Sequence, residues 1–404
     1  GGYTQYVAWA NNTPVLVPRV DGWFSYNAFA GEFVRNERAK EIFFNHLRYI
    51  ITRTNRYTGI KYIDDPAIFS WQICNEPRAF SSKTEDNKEH FAEWIAESAR
   101  LIRELDPNHM ISTGSEGFYG CEWDMELCEQ IHAIDEIAYI NCHVWPYNWK
   151  WIAGDNMREK LDVAFENTDA YIAMHTELGE KIGKPVVVEE FGMPRDDLDF
   201  RKTSTTTCRD KYYDFVFAMV EKSAAEGGKL AGCNFWSWGG YAVTHVEDHE
   251  YWMPGDDYTG DPAQEQQGLN SVYASDESTL TILKEAAAQV EEALGPKAWF
   301  HIDQNRGLYF GEGPHTLKAT AMVPKCSKAT LEMTLTTDLK QPVKTESRTV
   351  KFSQGGAELE YRLNLQPGFY CAVLELVGED GSRKELARTN IGYEPEKIES
   401  PQDK

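Results

Sequence analysis

Pro185-Val186-Val187-Val188-Glu189-Glu190-Phe191-Gly192 is a β-branched run that ends in two adjacent acids. A short apolar run bounded by turn residues reads as a buried parallel strand. Acids at the end of such a strand are poorly explained by packing, because burying charge is costly unless it is paired. Side chains alternate along a strand, so Glu189 and Glu190 face opposite ways. Glu190, beside Phe191-Gly192, is expected to point into a mouth formed by strand ends. Glu189 is read as a structural partner at the wall. The same design occurs earlier, where the apolar Ile73-Cys74 leads into Asn75-Glu76-Pro77-Arg78.

Outward from these two runs, strand and helix patterns alternate. Strands are expected at 67–74, 110–113, 138–144, 185–188 and 231–238, and helices at 32–56, 83–105, 156–182, 208–225 and 277–294. In the second helix Phe91, Trp94, Ile95, Ala99 and Ile102 recur at helical spacing. Alternation of this kind implies parallel βα units. A doubly wound sheet would carry a Gly-rich phosphate fingerprint after an early strand, and this sequence has none. Polar residues at several successive strand ends favour a TIM (β/α)₈ barrel. Five strands are countable where a barrel needs eight. Bare sheet edges are uncommon in natural proteins. Three strands are therefore expected to come from residues upstream of Gly1.

After Gly295-Pro296 the pattern changes to short alternating strands at 317–322, 329–336, 348–352, 358–363 and 370–377, separated by turn signals such as Pro367-Gly368. These predict a small antiparallel β-sandwich. The expected division is a barrel domain at 1–296, a sandwich at 297–393 and a loose tail at 394–404. Tyr361, Phe369 and Tyr370 are assigned to packing.

Composition narrows the partners. The 404 residues carry a formal net charge of −23 and no basic stripe, which argues against nucleic acid. No apolar run approaches the roughly 20 residues of a membrane helix. Twelve Trp and twenty Tyr include several in polar, Gly- or Pro-containing stretches, where exposed rings can stack on sugars. The eight cysteines form no CxxC pair, so zinc and thioredoxin-like readings fail. Cys74, Cys142 and Cys233 read as small buried hydrophobes, and Cys121–Cys128 and Cys326–Cys371 stay open as bridges. His245 and His249 lack the HExxH pattern and read as surface residues, so no metal site is expected. A Ser-dependent esterase would need a G-x-S-x-G elbow, which is absent from the sequence.

Two carboxyls at the ends of two parallel strands suit glycoside hydrolysis, in which they flank the bond to be cut. The one that donates a proton is expected to have a raised pKa, through burial and its neighbour. Other strand ends offer Glu116, His143, Trp145, Trp149 and Trp236. The set resembles glycoside hydrolase family 5, a clan A retaining TIM barrel. Asn75-Glu76-Pro77 and Glu190-Phe191-Gly192 are similar to its two catalytic motifs. The resemblance implies Glu76 as acid/base and Glu190 as nucleophile. Arg78, the opening Gly1-Gly2-Tyr3-Thr4-Gln5-Tyr6 and Gln266-Gln267-Gly268-Leu269-Asn270-Ser271-Val272-Tyr273 resemble the endo-β-1,4-mannanase branch. Asn75, Arg78, Glu116, His143, Trp145, Trp149 and Trp236 are then implied in substrate binding.

The resemblance spans about residues 1–295. It departs at His143-Val144-Trp145, where the family usually has His-x-Tyr, so the indole N–H of Trp145 or another group must steady the nucleophile. A basic residue beside the nucleophile also has no counterpart in this sequence. The implied activity is retaining cleavage of the β-1,4 backbone of mannan, galactomannan or glucomannan, without a cofactor. A monomer is expected, acting in an extracellular, periplasmic or cell-surface setting. A β-1,4-glucanase on the same fold and a non-catalytic carbohydrate-binding protein are the alternatives.

Overall fold

The computed structural model describes residues 3–82, 84–301, 307–324, 326–353 and 355–396. It divides into two compact units, Gly1–Ala286 and Ala287–Lys404.

The first unit is α/β. Three helices, α1 (Tyr3–Asn11), α2 (Pro18–Asp21) and α3 (Trp23–Gly31), precede α4 (Glu37–Thr52). The helix expected from residue 32 starts later because Asn36 caps it, accepting from the Ala39 N–H at 3.0 Å. Strand β1 (Ser70–Gln72) is followed by α5 (Lys88–Leu105), β2 (Met110–Ser112), α6 (Met125–His132) and β3 (Ile140–Val144). Then come α7 (Leu161–Ile182), β4 (Val186–Phe191), α8 (Thr207–Glu226), β5 (Leu230–Phe235), β6 (Trp238–Gly240), β7 (Val272–Tyr273) and α9 (Glu277–Leu294). All pairings between these named strands are parallel. Strand β1 pairs with β2, β4 lies between β3 and β5, and β6 pairs with β7. No closed barrel forms among the described residues.

Aromatic packing joins the helices. Trp94 of α5 receives Phe33 and Phe43 edge-on, with ring centres 5.2 Å away in each case, and Tyr3 stacks on Phe33 at 4.8 Å. Such pairs add about 0.5–1.5 kcal/mol each beyond the area they bury. The Tyr3 hydroxyl in turn accepts from the Arg78 backbone N–H at 3.2 Å, which ties this core to the end of β1. Helix α5 stops before Asp106, whose carboxylate accepts from the Trp71 indole at 2.7 Å and the Asn108 N–H at 2.8 Å. This buried acid pins β1 to the turn that starts β2.

The second unit is all β. One sheet has the order β13-β10-β8 and the other β12-β11-β14-β15-β9. The strands are β8 (Lys297–His301), β9 (Leu308–Phe310), β10 (His315–Met322), β11 (Lys328–Thr337), β12 (Pro342–Lys351), β13 (Gly356–Leu363), β14 (Gly368–Val377) and β15 (Arg383–Glu394). Pairing is antiparallel except between β9 and β15. A single buried cluster draws Leu317 and Ala319 from one sheet and Leu331, Met333 and Leu374 from the other. Tyr361 and Tyr370 are buried in it as expected, but Phe369 is 56% exposed, so the packing role assigned to it is wrong. Phe369 neighbours Tyr370, and alternation turns adjacent strand residues to opposite faces. Of the expected loose tail, residues 397–404 lie outside the described residues.

Candidate active site

Backbone geometry at the end of β1 places Glu76. Gly114, at the end of β2, has φ +73°, and a Cβ there would meet the Cys74 carbonyl oxygen at 2.1 Å. Only glycine allows this approach, which lets the Glu76 N–H donate to the Gly114 carbonyl at 2.9 Å. Buried Asn141 of β3 holds the same turn, its Oδ1 accepting from the N–H groups of Thr113 and Gly114, each at 3.1 Å. Glu76 itself has φ +49°, a left-handed conformation costing on the order of 1–3 kcal/mol in a non-glycine residue. Strain of this kind persists where surrounding structure enforces it.

Glu190 is placed by an irregularity in β4. Cys142 pairs with Val188, but His143 pairs with Glu190, so Glu189 is the extra residue of a bulge. Bulges re-aim side chains. Here the bulge sets Glu190 beside His143, while Glu189 turns to Gln72 and Tyr139, accepting from them at 2.6 and 3.0 Å. His143 is buried, and its Nδ1 lies 3.0 Å from Glu76 Oε1 and 3.2 Å from Glu190 Oε2. The nitrogen and one oxygen from each carboxylate all lie within 4.8 Å of one another. Three such atoms could grip a cation, but a proton on Nδ1 answers both carboxylates by itself.

The electrostatics follow from this geometry. Burial disfavours charge on His143, yet its bonds to Glu190 and Glu76 outweigh burial and push its pKa up to about 10. Burial raises Glu76, but the bond and charge of His143, with help from Arg78, leave it below the usual range. The raised acid expected at Glu76 is therefore not found, because His143 holds the proton. The Glu116 carboxyl rises instead, to about 7, through burial and the Glu76 charge and against the pull of Arg78. Arg78 forms a close ion pair with Glu116 and stays partly exposed.

A pH test follows. His143 titrates above its ordinary value near 6.5, so its bonds stabilise the fold fully below that pH. The contribution fades as pH rises through about 10. The melting temperatures of the protein and of His143→Gln should differ most near pH 6 and converge by about pH 10. A gap that stays constant over that range would show a neutral His143.

Residues 1–294 match the family model described as GH family 5 beta-mannosidase-like. The chain belongs to glycoside hydrolase family 5. It is 31% identical to mannan endo-1,4-β-mannosidase 5 of Arabidopsis thaliana over 251 residues, 58% of this chain and 53% of that protein. The chain thus spans about half the length of the curated relatives it matches. A family 5 mannosidase from Rhizomucor miehei superposes with a TM-score of 0.63 at 28% identity, covering 73% of this chain and 69% of the other. An endo-β-1,4-mannanase from Thermotoga petrophila, at 20% identity and a TM-score of 0.50, covers 98% of this chain and 77% of its own, a likeness of fold.

The remaining expected residues of this family 5 chain differ in exposure and packing. Trp236 follows β5, its backbone N–H donating to the Phe191 carbonyl at 2.8 Å, and it is partly exposed. Asn75 is exposed beside Glu76. Trp149 is not a free platform, because Tyr119 stacks on it at 4.0 Å and Trp151 meets it edge-on at 5.1 Å. Trp145 packs against Gly192, where a Cβ would lie 2.8 Å from its ring. It is His143, not Trp145, that steadies Glu190.

Sequence reasoning missed Asn141 and Asp261. Asp261 is buried and accepts from the N–H groups of Gly268 and Asn270 at 2.8 and 2.9 Å, which fixes the loop leading into β7. A lone Asp followed by Pro262 in a polar stretch carries no periodic signal that could have flagged it. All eight cysteines are free thiols, so neither candidate bridge forms. His245 and His249 stack beside Asp256.

Proposed function

We propose that this protein cleaves the β-1,4-linked backbone of mannan, galactomannan or glucomannan with retention of configuration. One observation carries the reading: Glu76 and Glu190 present oxygens within 4.8 Å of each other across a shared histidine. Retaining glycosidases hold their carboxyls about 5–5.5 Å apart, whereas inverting ones need about 6.5–9.5 Å to admit water. The family assignment and the mannan-cleaving relatives support the substrate class.

In the first step Glu190 attacks the anomeric carbon, a C–O bond to its carboxylate forms and the glycosidic C–O bond breaks. Glu76 protonates the departing oxygen. Water then attacks the same carbon, Glu76 takes its proton, and Glu190 leaves. The proton that Glu76 must deliver lies on His143 Nδ1, 3.0 Å away. Shifting it along that hydrogen bond makes the acid form. Arg78 and Glu116 bind the leaving-group side and Trp236 the sugar under attack. Asn75, Trp145 and Trp149 complete the wall around them.

The parallel strands belong in this reading to a TIM (β/α)₈ barrel, and the two sheets of the second unit form a β-sandwich. In this reading the protein acts on its polymeric substrate as a monomer, in an extracellular, periplasmic or cell-surface setting. Following mannohexaose cleavage by proton NMR tests the reading, with the β-anomer expected to appear first. First appearance of the α-anomer would reject retention. Cleavage of cello-oligosaccharides alone would favour the glucanase, and binding without cleavage a non-catalytic protein.

A further inference from the structure

Glu76 and Glu190 stand on different ladders. Glu76 follows β1, which pairs with β2, whereas Glu190 lies in β4, between β3 and β5. Their separation is therefore set by the groups that join the two ladders. We infer that Glu189 is a positioning residue for the reaction: its carboxylate ties β1 to β4 and so sets how far Glu76 stands from Glu190. The inference rests on the double-displacement reading above.

Between β2 and β3 the backbone bonds lie at the two ends. The Ala138 N–H donates to the Ile111 carbonyl at 2.8 Å, and the His143 N–H to the Glu116 carbonyl at 3.2 Å. Midway, Asn141 Oδ1 stands in for the ladder by accepting from the Thr113 and Gly114 N–H groups. Glu189 makes the longer tie. Its Oε1 accepts from Gln72 Nε2 of β1 at 2.6 Å and from the Tyr139 hydroxyl at 3.0 Å.

The bulge couples this tie to the nucleophile. Tyr139, Asn141 and His143 share a face by alternation. Both acids of β4 reach that row, Glu189 at Tyr139 and Glu190 at His143. A regular strand would turn adjacent residues to opposite faces. The extra residue sets them on the same row, so a shift of Glu189 is passed directly to Glu190. Glu189 is 9% exposed, and burial raises its pKa against the bond from Tyr139, the charge of His143 and the bonds from Asn141 and Gln72. An apolar residue would avoid that desolvation but could not link Gln72 to Tyr139. Both donors are neutral, an amide and a phenol, so the tie needs an oxygen acceptor and not a charge.

The test compares Glu189→Ala with Glu189→Gln, which keeps an oxygen for both donors. In Glu189→Ala kcat on mannohexaose should fall about 10–100-fold, as misplaced reacting groups do, with KM within about twofold of the parent. Glu189→Gln should lose less than about fivefold, the worth of one hydrogen bond. Misplacing Glu76 relative to Glu190 costs proton donation, so the loss in Glu189→Ala should be at least about fivefold larger on a phenyl β-mannoside than on a dinitrophenyl β-mannoside, whose leaving group needs no proton. A mere loss of folded protein would lower both alike. Should Glu189→Ala not fold, Gln72→Ala, at an exposed residue, is expected to show the same leaving-group dependence. Equal losses on the two aryl mannosides, or Glu189→Gln as impaired as Glu189→Ala, would overturn the assignment. If the parent turns over none of these substrates, the mannanase reading fails, and proton NMR of the His143 Nδ1–H decides the positioning role by itself. Its resonance should move in Glu189→Ala and hold in Glu189→Gln, and a resonance unmoved in both would overturn the role.

Discussion

Glu190→Ala protein should show no turnover of mannan, and added azide should restore no product of retained configuration. Glu76→Ala should behave differently. Its cleavage of mannan should fall by about 10²–10⁴, the usual worth of a general acid. On an aryl mannoside with a good leaving group, azide should rescue turnover and yield the β-azide. The difference follows from what each carboxylate supplies. Without Glu190 no glycosyl-enzyme forms, so an incoming azide displaces the leaving group directly and inverts the centre. Without Glu76 the covalent intermediate still forms when the leaving group needs no proton, and azide enters the space vacated by the lost side chain. The chemical identity of the azide product, read by NMR, decides the roles. A β-azide from Glu190→Ala, and none from Glu76→Ala, would exchange them. Loss of all activity in Glu189→Gln, with Glu190→Gln active, would move the nucleophile by one residue.

That last outcome bears on how far the sequence could be read. Strand β4 was legible because three successive valines leave few other readings, and the two acids at its end stood out against that background. Alternation separated Glu189 from Glu190, but the bulge that aims Glu190 at His143 depends on the register with β3 and β5, which no local pattern records. His143 was legible as a polar strand-end residue. Its position between both carboxylates was not, because Glu76 and Glu190 reach it from opposite directions along the chain. The proton therefore sits on the histidine and not on the acid, a result that single-residue expectations about Glu76 could not contain.

Long amphipathic helices such as α5 were found because eight of their residues are buried at helical spacing. Helices α2 and α3 escaped because they lack such a face: Val20, Trp23 and Phe24 are 81%, 60% and 89% exposed. Strand β15 escaped for a related reason. Its sequence Arg383-Lys384-Glu385-Leu386-Ala387-Arg388 is mostly polar, and it is held by its ladder with β14 and by Arg388 pairing with Glu385.

The largest effect on stability is expected from Asp276→Ala. Asp276 is almost fully buried at the start of α9 and receives both Nη2 contacts of buried Arg195, at 2.5 and 2.6 Å. A second buried guanidinium, that of Arg209, lies 3.5 Å from Oδ2 of the same carboxylate. The same carboxylate also accepts from the Tyr273 N–H at 2.9 Å. Removing it leaves two desolvated cations with no anion at that position. Breaking a buried pair in this way costs about 3–5 kcal/mol, far more than an exposed pair is worth. With roughly 2–4 °C per kcal/mol for a unit of this size, melting should fall by about 10 °C. Activity should fall as well, by a route that touches no substrate. Arg209 donates to the Met193 carbonyl and the Ser271 carbonyl, each at 2.8 Å, so it holds the segment after Glu190 against the segment that enters β7. Losing its counter-ion loosens both supports of the nucleophile's strand. Asp276→Asn keeps the shape and removes the charge, and should fall between the parent and the alanine variant. Denaturant unfolding followed by tryptophan fluorescence checks the order. A loss below about 1 kcal/mol in Asp276→Ala would mean that the two arginines are reached by solvent and that the site does not depend on this pair.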